Sequence, residues 1–221
     1  MGIAIFSKTN RKKTTVKFFI AFLSCLVFVI GITLACLFNS EKIGDWYFNS
    51  QKNPEKSVYW YEVHYNITKQ EDDLIKLCDS LYLSKNYSKE KKYYPTIISS
   101  NTEKSSNKNR LNYMEQYIEA FYYTNDFEGY KSTYEEYKVQ LKNTIQIALP
   151  LEPLINDQTA TQKSLTWALS FSDELLKENN NLVVQAALYG QQSDLLIRLG
   201  DDGKAAIQKQ KSEEIKNQLL E

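Results

Sequence analysis

Histidine, cysteine, proline and glycine are all scarce in this sequence. The 221 residues include one histidine, three cysteines, four prolines and seven glycines. So few scattered glycines do not form a loop that cradles a phosphate group, and no group of His, Cys and Asp has the spacing of metal ligands. Cys78 is the only cysteine after residue 40, so it has no disulfide partner there. The chain is therefore not a disulfide-stabilised secreted scaffold.

No catalytic arrangement is recognisable either. A lone histidine such as His64, one helical turn after Trp60 and Tyr61, is more often structural or solvated than catalytic. Cys78 lies in an apolar stripe without a histidine nearby in sequence, which predicts burial rather than nucleophilic attack. We expect a protein that is not an enzyme and has no catalytic residues, metal or cofactor. An enzyme with an unfamiliar site of tyrosines, glutamates and His64 is one alternative.

Charge is balanced overall but unevenly distributed. The sequence has 27 basic and 27 acidic residues, and five of the basic ones lie in residues 1–40, which contain no acidic residue. The rest of the chain therefore has a net charge of −5. A mildly acidic domain lacks the basic surface that binds a nucleic-acid backbone, so we expect no nucleic-acid partner.

One long apolar segment stands out, from Phe18 to Phe38, which contains no charged residue. As a helix it would be roughly 31 Å long, the thickness of the hydrocarbon core of a bilayer. We expect a transmembrane helix at 18–38 that anchors the chain in the lipid bilayer. A short basic segment at 1–17 precedes it and a helical domain at 39–221 follows.

The basic residues before this helix predict its orientation. They are Arg11, Lys12, Lys13 and Lys17. Positive charges beside a membrane-spanning helix stay on the cytoplasmic side. The sequence therefore predicts a single-pass protein of the cell membrane, with a cytoplasmic N-terminus and an extracytoplasmic C-terminal domain.

Two other fates of the apolar segment are open. A cleaved signal peptide usually has a shorter apolar region, of about 7 to 15 residues. Thr33-Leu34-Ala35-Cys36 resembles a bacterial lipoprotein processing site, although Thr33 stands where an aliphatic residue is usual. The main alternative is thus a ligand- or substrate-binding lipoprotein acylated at Cys36. The Lys-, Asn-, Ile- and Tyr-rich composition favours a bacterial origin.

The remaining sequence predicts an all-α fold. Glycine and proline are few, and apolar residues recur with helical spacing. One such stripe contains Leu74, Leu77, Cys78, Leu81 and Tyr82, and a second contains Met114, Tyr117, Ile118, Phe121 and Tyr122. Residues 99–109 predict a polar surface loop, and residues 149–158, with two prolines, predict an irregular segment.

Four short segments resemble one another and indicate a weak repeat. They are KNPEKS from Lys52, KNYSKE from Lys85, NDFEGY from Asn125 and GDDGKA from Gly200. The first three are 33 and 40 residues apart, and the last follows after 75. This pattern resembles the tetratricopeptide repeat, a helix-turn-helix unit of about 34 residues.

The best match to that repeat runs from Met114 to Tyr137, where NDFEGY resembles the family's Gly-Asp-Tyr-Glu-Lys-Ala turn. Where the second helix of the repeat has a small alanine, this sequence has Ser57, Glu90, Tyr130 and Ala205. The unit expected near Asp157 has no matching turn. The fold prediction is therefore antiparallel helix pairs, as either a degenerate tetratricopeptide-like solenoid or an irregular helical bundle.

Tyrosine is unusually frequent, with sixteen residues. Its large apolar ring and polar tip suit both a core and a recognition surface. The resemblance implies a groove lined by the first helix of each pair. Residues expected to bind a partner there are Tyr82, Gln116, Glu119, Tyr122 and Tyr123. The function predicted from sequence is a membrane-tethered scaffold or adaptor that binds another protein or peptide.

Overall fold

The computed structural model describes residues 4–100 and 107–221, with side chains described for 17–100 and 109–221. The side chains of Arg11, Lys12 and Lys13 and most of the expected polar loop at 99–109 lie outside the described residues. The described residues are almost entirely helical and include no strand, which confirms the all-α prediction. The chain divides into two compact units, residues 1–80 and 81–221, and each is described by itself.

The first unit begins with α1, Ala4–Phe38. Its side chains are exposed from Lys17 to Ala35. Lys17–Phe38 is the one helix among the described residues that is long and apolar enough to cross a membrane, and a signal sequence would have the same character. The helices that follow are α2 (Ser40–Asp45), a π-helical turn (Trp46–Ser50), α3 (Pro54–Thr68) and α4 (Glu71–Leu83).

The core of this unit depends on a close approach between α2 and α3. A Cβ atom at Gly44 would lie 2.6 Å from the Tyr61 ring, so only glycine fits there. Val58 and Tyr61 on α3 are buried, as are Leu74, Leu77 and Cys78 on α4. Burial of Cys78 agrees with its place in the apolar stripe. Trp46 is exposed, whereas Tyr47 and Phe48 are partly buried.

The second unit begins within α4 and continues through seven further helices. They are α5 (Tyr87–Ser99), α6 (Asn107–Tyr123), α7 (Phe127–Leu141), α8 (Glu152–Asn156), α9 (Gln162–Glu178), α10 (Leu182–Arg198) and α11 (Asp202–Gln218). Consecutive helices pack together from α5 to α7 and from α9 to α11. Pro95 does not end α5, which continues to Ser99.

The segment between α7 and α9 contains short helical elements, although its prolines predict an irregular backbone. It forms short 3-10 turns at Ile145–Ile147 and Leu149–Leu151, and then α8. The Tyr130 hydroxyl donates to the Pro150 carbonyl at 2.7 Å, and the Tyr134 hydroxyl donates to the Ile147 carbonyl. Gln191 on α10 donates to the Ala148 carbonyl at 2.9 Å. Side chains from α7 and α10 therefore donate to three backbone carbonyls of this segment and fix its position in the unit.

Candidate functional site

A cavity of about 580 Å³ opens on the second unit. Its wall includes Tyr82 at the end of α4, Glu119, Tyr122 and Tyr123 on α6, Glu152 on α8, and Asp157 just after α8. We call it the tyrosine cavity. Four of the five residues expected from sequence to bind a partner thus lie together in one wall.

Gln116, the fifth of these residues, has a different environment. Its side-chain oxygen accepts a hydrogen bond of 2.9 Å from the buried Tyr94 hydroxyl. A buried phenol needs such an acceptor. The structure therefore gives Gln116 a role inside the domain and places it outside the cavity wall.

Helical spacing explains how α6 supplies three groups to one wall. Residues three and four apart lie on the same face of a helix, so Glu119, Tyr122 and Tyr123 project together. Met114 and Ile118, on the same helix, are fully buried. Packing of that apolar face fixes the rotation of α6 and holds the polar face toward the cavity.

The tyrosine rings are supported by neighbours but remain accessible. Tyr123 stacks on Tyr87, with ring centroids 4.3 Å apart, and is still 45% exposed. Tyr82 is 44% exposed. The Tyr122 hydroxyl donates to Asp157 at 2.6 Å, and its ring packs edge-on against Tyr130. These contacts hold the rings in place, and the stacking on Tyr87 covers one face of Tyr123 while nearly half of that side chain stays exposed.

Carboxyl groups crowd one side of this cavity. Burial raises the pKa of Glu119 to about 8, and the nearby carboxylates of Glu115, Glu152 and Glu90 add to the shift. Burial, with the charge of Glu152, raises the pKa of Glu115 to about 7. Burial alone raises the pKa of Glu90 to about 8. Some of these glutamates are therefore protonated at neutral pH, because the site disfavours their charged form.

Asp157 differs from these glutamates. Hydrogen bonds from Thr159 and from the Tyr122 hydroxyl lower the pKa of Asp157 below its usual value. The Tyr122 pKa is raised, first by burial and then by its bond to this carboxylate. The Asp157 carboxylate is thus a fixed negative charge at one end of the cavity.

A second, smaller cavity of about 380 Å³ adjoins the first. The two share Tyr122, Asn125 and Asp157 in their walls. Phe127, Leu154 and Ala160 make the second cavity more apolar. We call it the apolar cavity. The two cavities therefore meet at these shared residues.

The lone histidine lies in the other unit. His64 Nδ1 is 3.1 Å from the Ser40 hydroxyl, and its Nε2 is 3.5 Å from Asp73 and 3.8 Å from Glu41. These contacts join α2, α3 and α4, which fits a structural role. Within the described part of the chain, no group of three or more His, Cys, Asp and Glu residues is placed to hold a metal ion.

Sequence reasoning missed two acidic residues of the cavity wall. Glu152 and Asp157 lie in the proline-containing segment that was predicted to be irregular. The acidic residues of that segment were a usable signal, but their position opposite α6 depends on the bonds from Tyr130, Tyr134 and α10. Comparison with known proteins found no matching family model, no matching curated protein and no matching solved structure.

Proposed function

We propose that this protein is a non-enzymatic scaffold, tethered to the cell membrane by α1, that binds another protein or peptide at the tyrosine cavity. The observation that carries the proposal is the exposure of Tyr82 and Tyr123 in a concave wall. Large aromatic rings that remain accessible in a concave surface are typical of recognition sites. Tethering would raise the local concentration of the bound partner at the membrane.

The recurring helix-turn-helix geometry supports the same proposal. The turns at Lys52, Lys85, Asn125 and Gly200 are each followed by an Asn or Asp that caps the next helix. This recurrence favours a tetratricopeptide-like arrangement of helix pairs, whose first helices would present side chains such as Tyr82 and Tyr123. For α1 we propose the orientation expected from the basic residues, with the helical domain outside the cytoplasm.

Site-specific photo-crosslinking in intact membranes tests this function. A photoreactive phenylalanine analogue replaces Tyr123 in one variant and Val139 in the control. Val139 is 72% exposed on α7 and is not in the cavity wall. We expect discrete protein adducts from position 123 and none of the same size from position 139. Absence of adducts at 123, or identical adducts at both positions, would contradict the proposal.

A further inference from the structure

The tyrosine cavity has an excess of acidic groups. Of the described residues in its wall, Glu119, Glu152 and Asp157 are acidic and none is basic. Arg198 lies near Tyr122 and Asp157, and its guanidinium is already engaged. It donates to the carbonyls of Leu154 at 2.9 Å, Ile155 at 2.6 Å and Asp157 at 2.6 Å. An anionic ligand would meet carboxylates on entering this cavity, whereas a cation would be attracted.

A buried carboxyl oxygen adds to this imbalance. Glu90 is 1% exposed, and its Oε1 has no hydrogen-bond partner among the described residues. It is near enough to the cavity for its charge to raise the pKa of Tyr82. A buried carboxyl oxygen of this kind is normally hydrogen-bonded, so Glu90 is an unsatisfied acid near the cavity.

Two lysines of the second unit each contact both an aromatic ring and a carboxylate. Lys91 lies over the Phe121 ring at 4.1 Å and bonds Asp126 at 2.9 Å. Lys131 lies over Phe127 at 5.6 Å and bonds Glu128 at 3.0 Å. In each case an ammonium group is shared between an aromatic face and a carboxylate.

The described wall of the tyrosine cavity has both aromatic rings and carboxyl groups but no lysine. The rings of Tyr82 and Tyr123 are accessible beside the carboxyl groups of Glu119 and Glu152. Aromatic faces and carboxylates both attract cations, and the attraction increases where water is partly excluded.

We propose that the tyrosine cavity binds the ammonium or guanidinium group of a lysine or arginine side chain from a protein partner, and that the apolar cavity takes a neighbouring apolar side chain of the same segment. This inference rests on the proposed function, since it names the chemistry of the partner. The adjacency of the two cavities favours a peptide over a free amine, because a free amine would fill only one of them.

Proton release accompanies this binding. With its pKa raised to about 8, Glu119 is partly protonated at neutral pH in the free protein. A bound cation stabilises the ionised carboxylate, so affinity increases as the pH rises toward 8. Several titratable and charged groups surround Glu119. They are Tyr82 on α4, Tyr87 and Glu90 on α5, Glu115, Tyr122 and Tyr123 on α6, Tyr130 and Tyr134 on α7, Glu152 on α8, Asp157 after it, and Arg198 on α10.

The test uses the full chain in detergent micelles and four capped tetrapeptides. Their sequence is Ala-X-Leu-Ala, where X is lysine, arginine, norleucine or glutamate. Binding is measured by isothermal titration calorimetry and by ligand-observed NMR. We expect the lysine and arginine peptides to bind about tenfold more tightly than the norleucine peptide, because norleucine keeps the aliphatic chain and lacks the charge.

Three variants test whether the preference for the lysine peptide depends on the carboxyl groups of the cavity. Glu119→Gln and the exposed Glu152→Gln should each reduce the preference for lysine over norleucine by several-fold. Glu178→Gln removes the same charge from an exposed position at the end of α9 and should leave the preference unchanged. The lysine peptide should bind more tightly at about pH 8 than at about pH 6, and Glu119→Gln should flatten this dependence.

Several results would overturn the inference. They are equal binding of the lysine and norleucine peptides, equal loss of preference in Glu178→Gln, and binding of n-butylammonium as tight as that of the lysine peptide. The last result would assign the cavity to a free amine. Failure here is distinct from failure of the proposed function, since adducts from position 123 do not depend on the charge of the partner.

Discussion

At the scale of single residues, the tyrosines divide into two groups with different environments. Tyr94, Tyr130 and Tyr134 are fully buried, and each hydroxyl donates to an oxygen inside the second unit. Tyr82 and Tyr123 are about half exposed at the tyrosine cavity. One residue type serves both purposes because its ring packs like an apolar side chain while its hydroxyl needs either water or an acceptor.

Glu90 is the residue whose burial has no evident structural benefit. It is 1% exposed, and its Oε1 lacks a hydrogen-bond partner among the described residues. Burial raises its pKa from an ordinary value of 4.5 to about 8. The folded state therefore binds more protons at Glu90 than the unfolded state between these two values, and stability falls as the pH rises through that window.

Replacing Glu90 with glutamine should stabilise the protein above neutral pH. At pH 7 to 8 we expect the free energy of unfolding to increase by roughly 1 to 3 kcal/mol. The reason is that ionisation of Glu90 favours the unfolded state of the wild type, and glutamine does not ionise. Below about pH 4.5 the variant and the wild type should be equally stable, since both side chains are then neutral. Thermal denaturation of the full chain in detergent, followed by circular dichroism across this pH range, measures the difference.

The exposed Glu178→Gln variant serves as the control for a simple change of net charge. It should not alter the pH dependence of unfolding. If Glu90→Gln were destabilised at pH 8, the carboxylate would have to be stabilised in the folded state, and the interpretation of Glu90 as an unpaired buried acid would be wrong.

At the scale of the elements, the recurring turn is the most regular feature. The residues Lys52, Lys85, Asn125 and Gly200 all have positive φ values, of 50°, 54°, 58° and 81°. The Asn or Asp that follows each of them accepts a hydrogen bond from the backbone N–H three residues later. One left-handed residue ends a helix, and the next residue begins another.

Three of these turns share a further bond. The capping residue donates its own N–H to the carbonyl five residues earlier, from Asn86 to Leu81, from Asp126 to Phe121 and from Asp201 to Leu196. At Asn53 the acceptor is Tyr47, six residues earlier, since a π-helical turn precedes it. The similarity of the four sequences therefore reflects one backbone conformation, with a local variation after the π-helical turn.

The cap of α3 gives a direct test of this interpretation. Asn53 accepts from the Lys56 N–H at 3.0 Å. Asn53→Ala removes this bond and should lower the free energy of unfolding by about 1 kcal/mol, whereas Asn53→Ser keeps an acceptor and should cost much less. Chemical denaturation of both variants measures the change. Equal losses for alanine and serine would show that the side-chain oxygen does not cap the helix.

At the scale of the whole molecule, the proposed function depends on where the helical domain lies. A reporter enzyme that is active only outside the cytoplasm, fused after Glu221, should be active because the basic residues hold the N-terminus inside. The matched control is the same fusion with Arg11, Lys12, Lys13 and Lys17 replaced by glutamine, for which we expect lower activity. An active cytoplasmic reporter at the same position would refute the orientation.

Intact-mass spectrometry of the purified protein separates the anchor from the lipoprotein alternative. We expect a mass that includes residues 1–35 and no lipid. Loss of those residues together with a lipid-sized addition at Cys36 would instead favour a lipoprotein. The masses of the two products differ by several kilodaltons, because the lipoprotein lacks residues 1–35.

Local patterns in the sequence alone determined the all-α fold, the apolar helix and the burial of Cys78. Each of these follows from the periodicity or the length of an apolar stretch within one segment of the chain. The resemblance to the tetratricopeptide repeat named Tyr82, Glu119, Tyr122 and Tyr123 as partner-binding residues, and the structure brings these four to one cavity wall.

Only the tertiary structure decided which tyrosines are buried, that Gln116 pairs with Tyr94, and that Glu152 and Asp157 complete the cavity. These features depend on contacts between residues far apart in sequence, such as Tyr130 with Pro150 and Arg198 with Leu154. Burial and pKa are properties of the packed surroundings, since the energy of a charge depends on every neighbour that replaces water. A periodic pattern specifies one face of a helix, whereas what covers that face is specified by the rest of the chain.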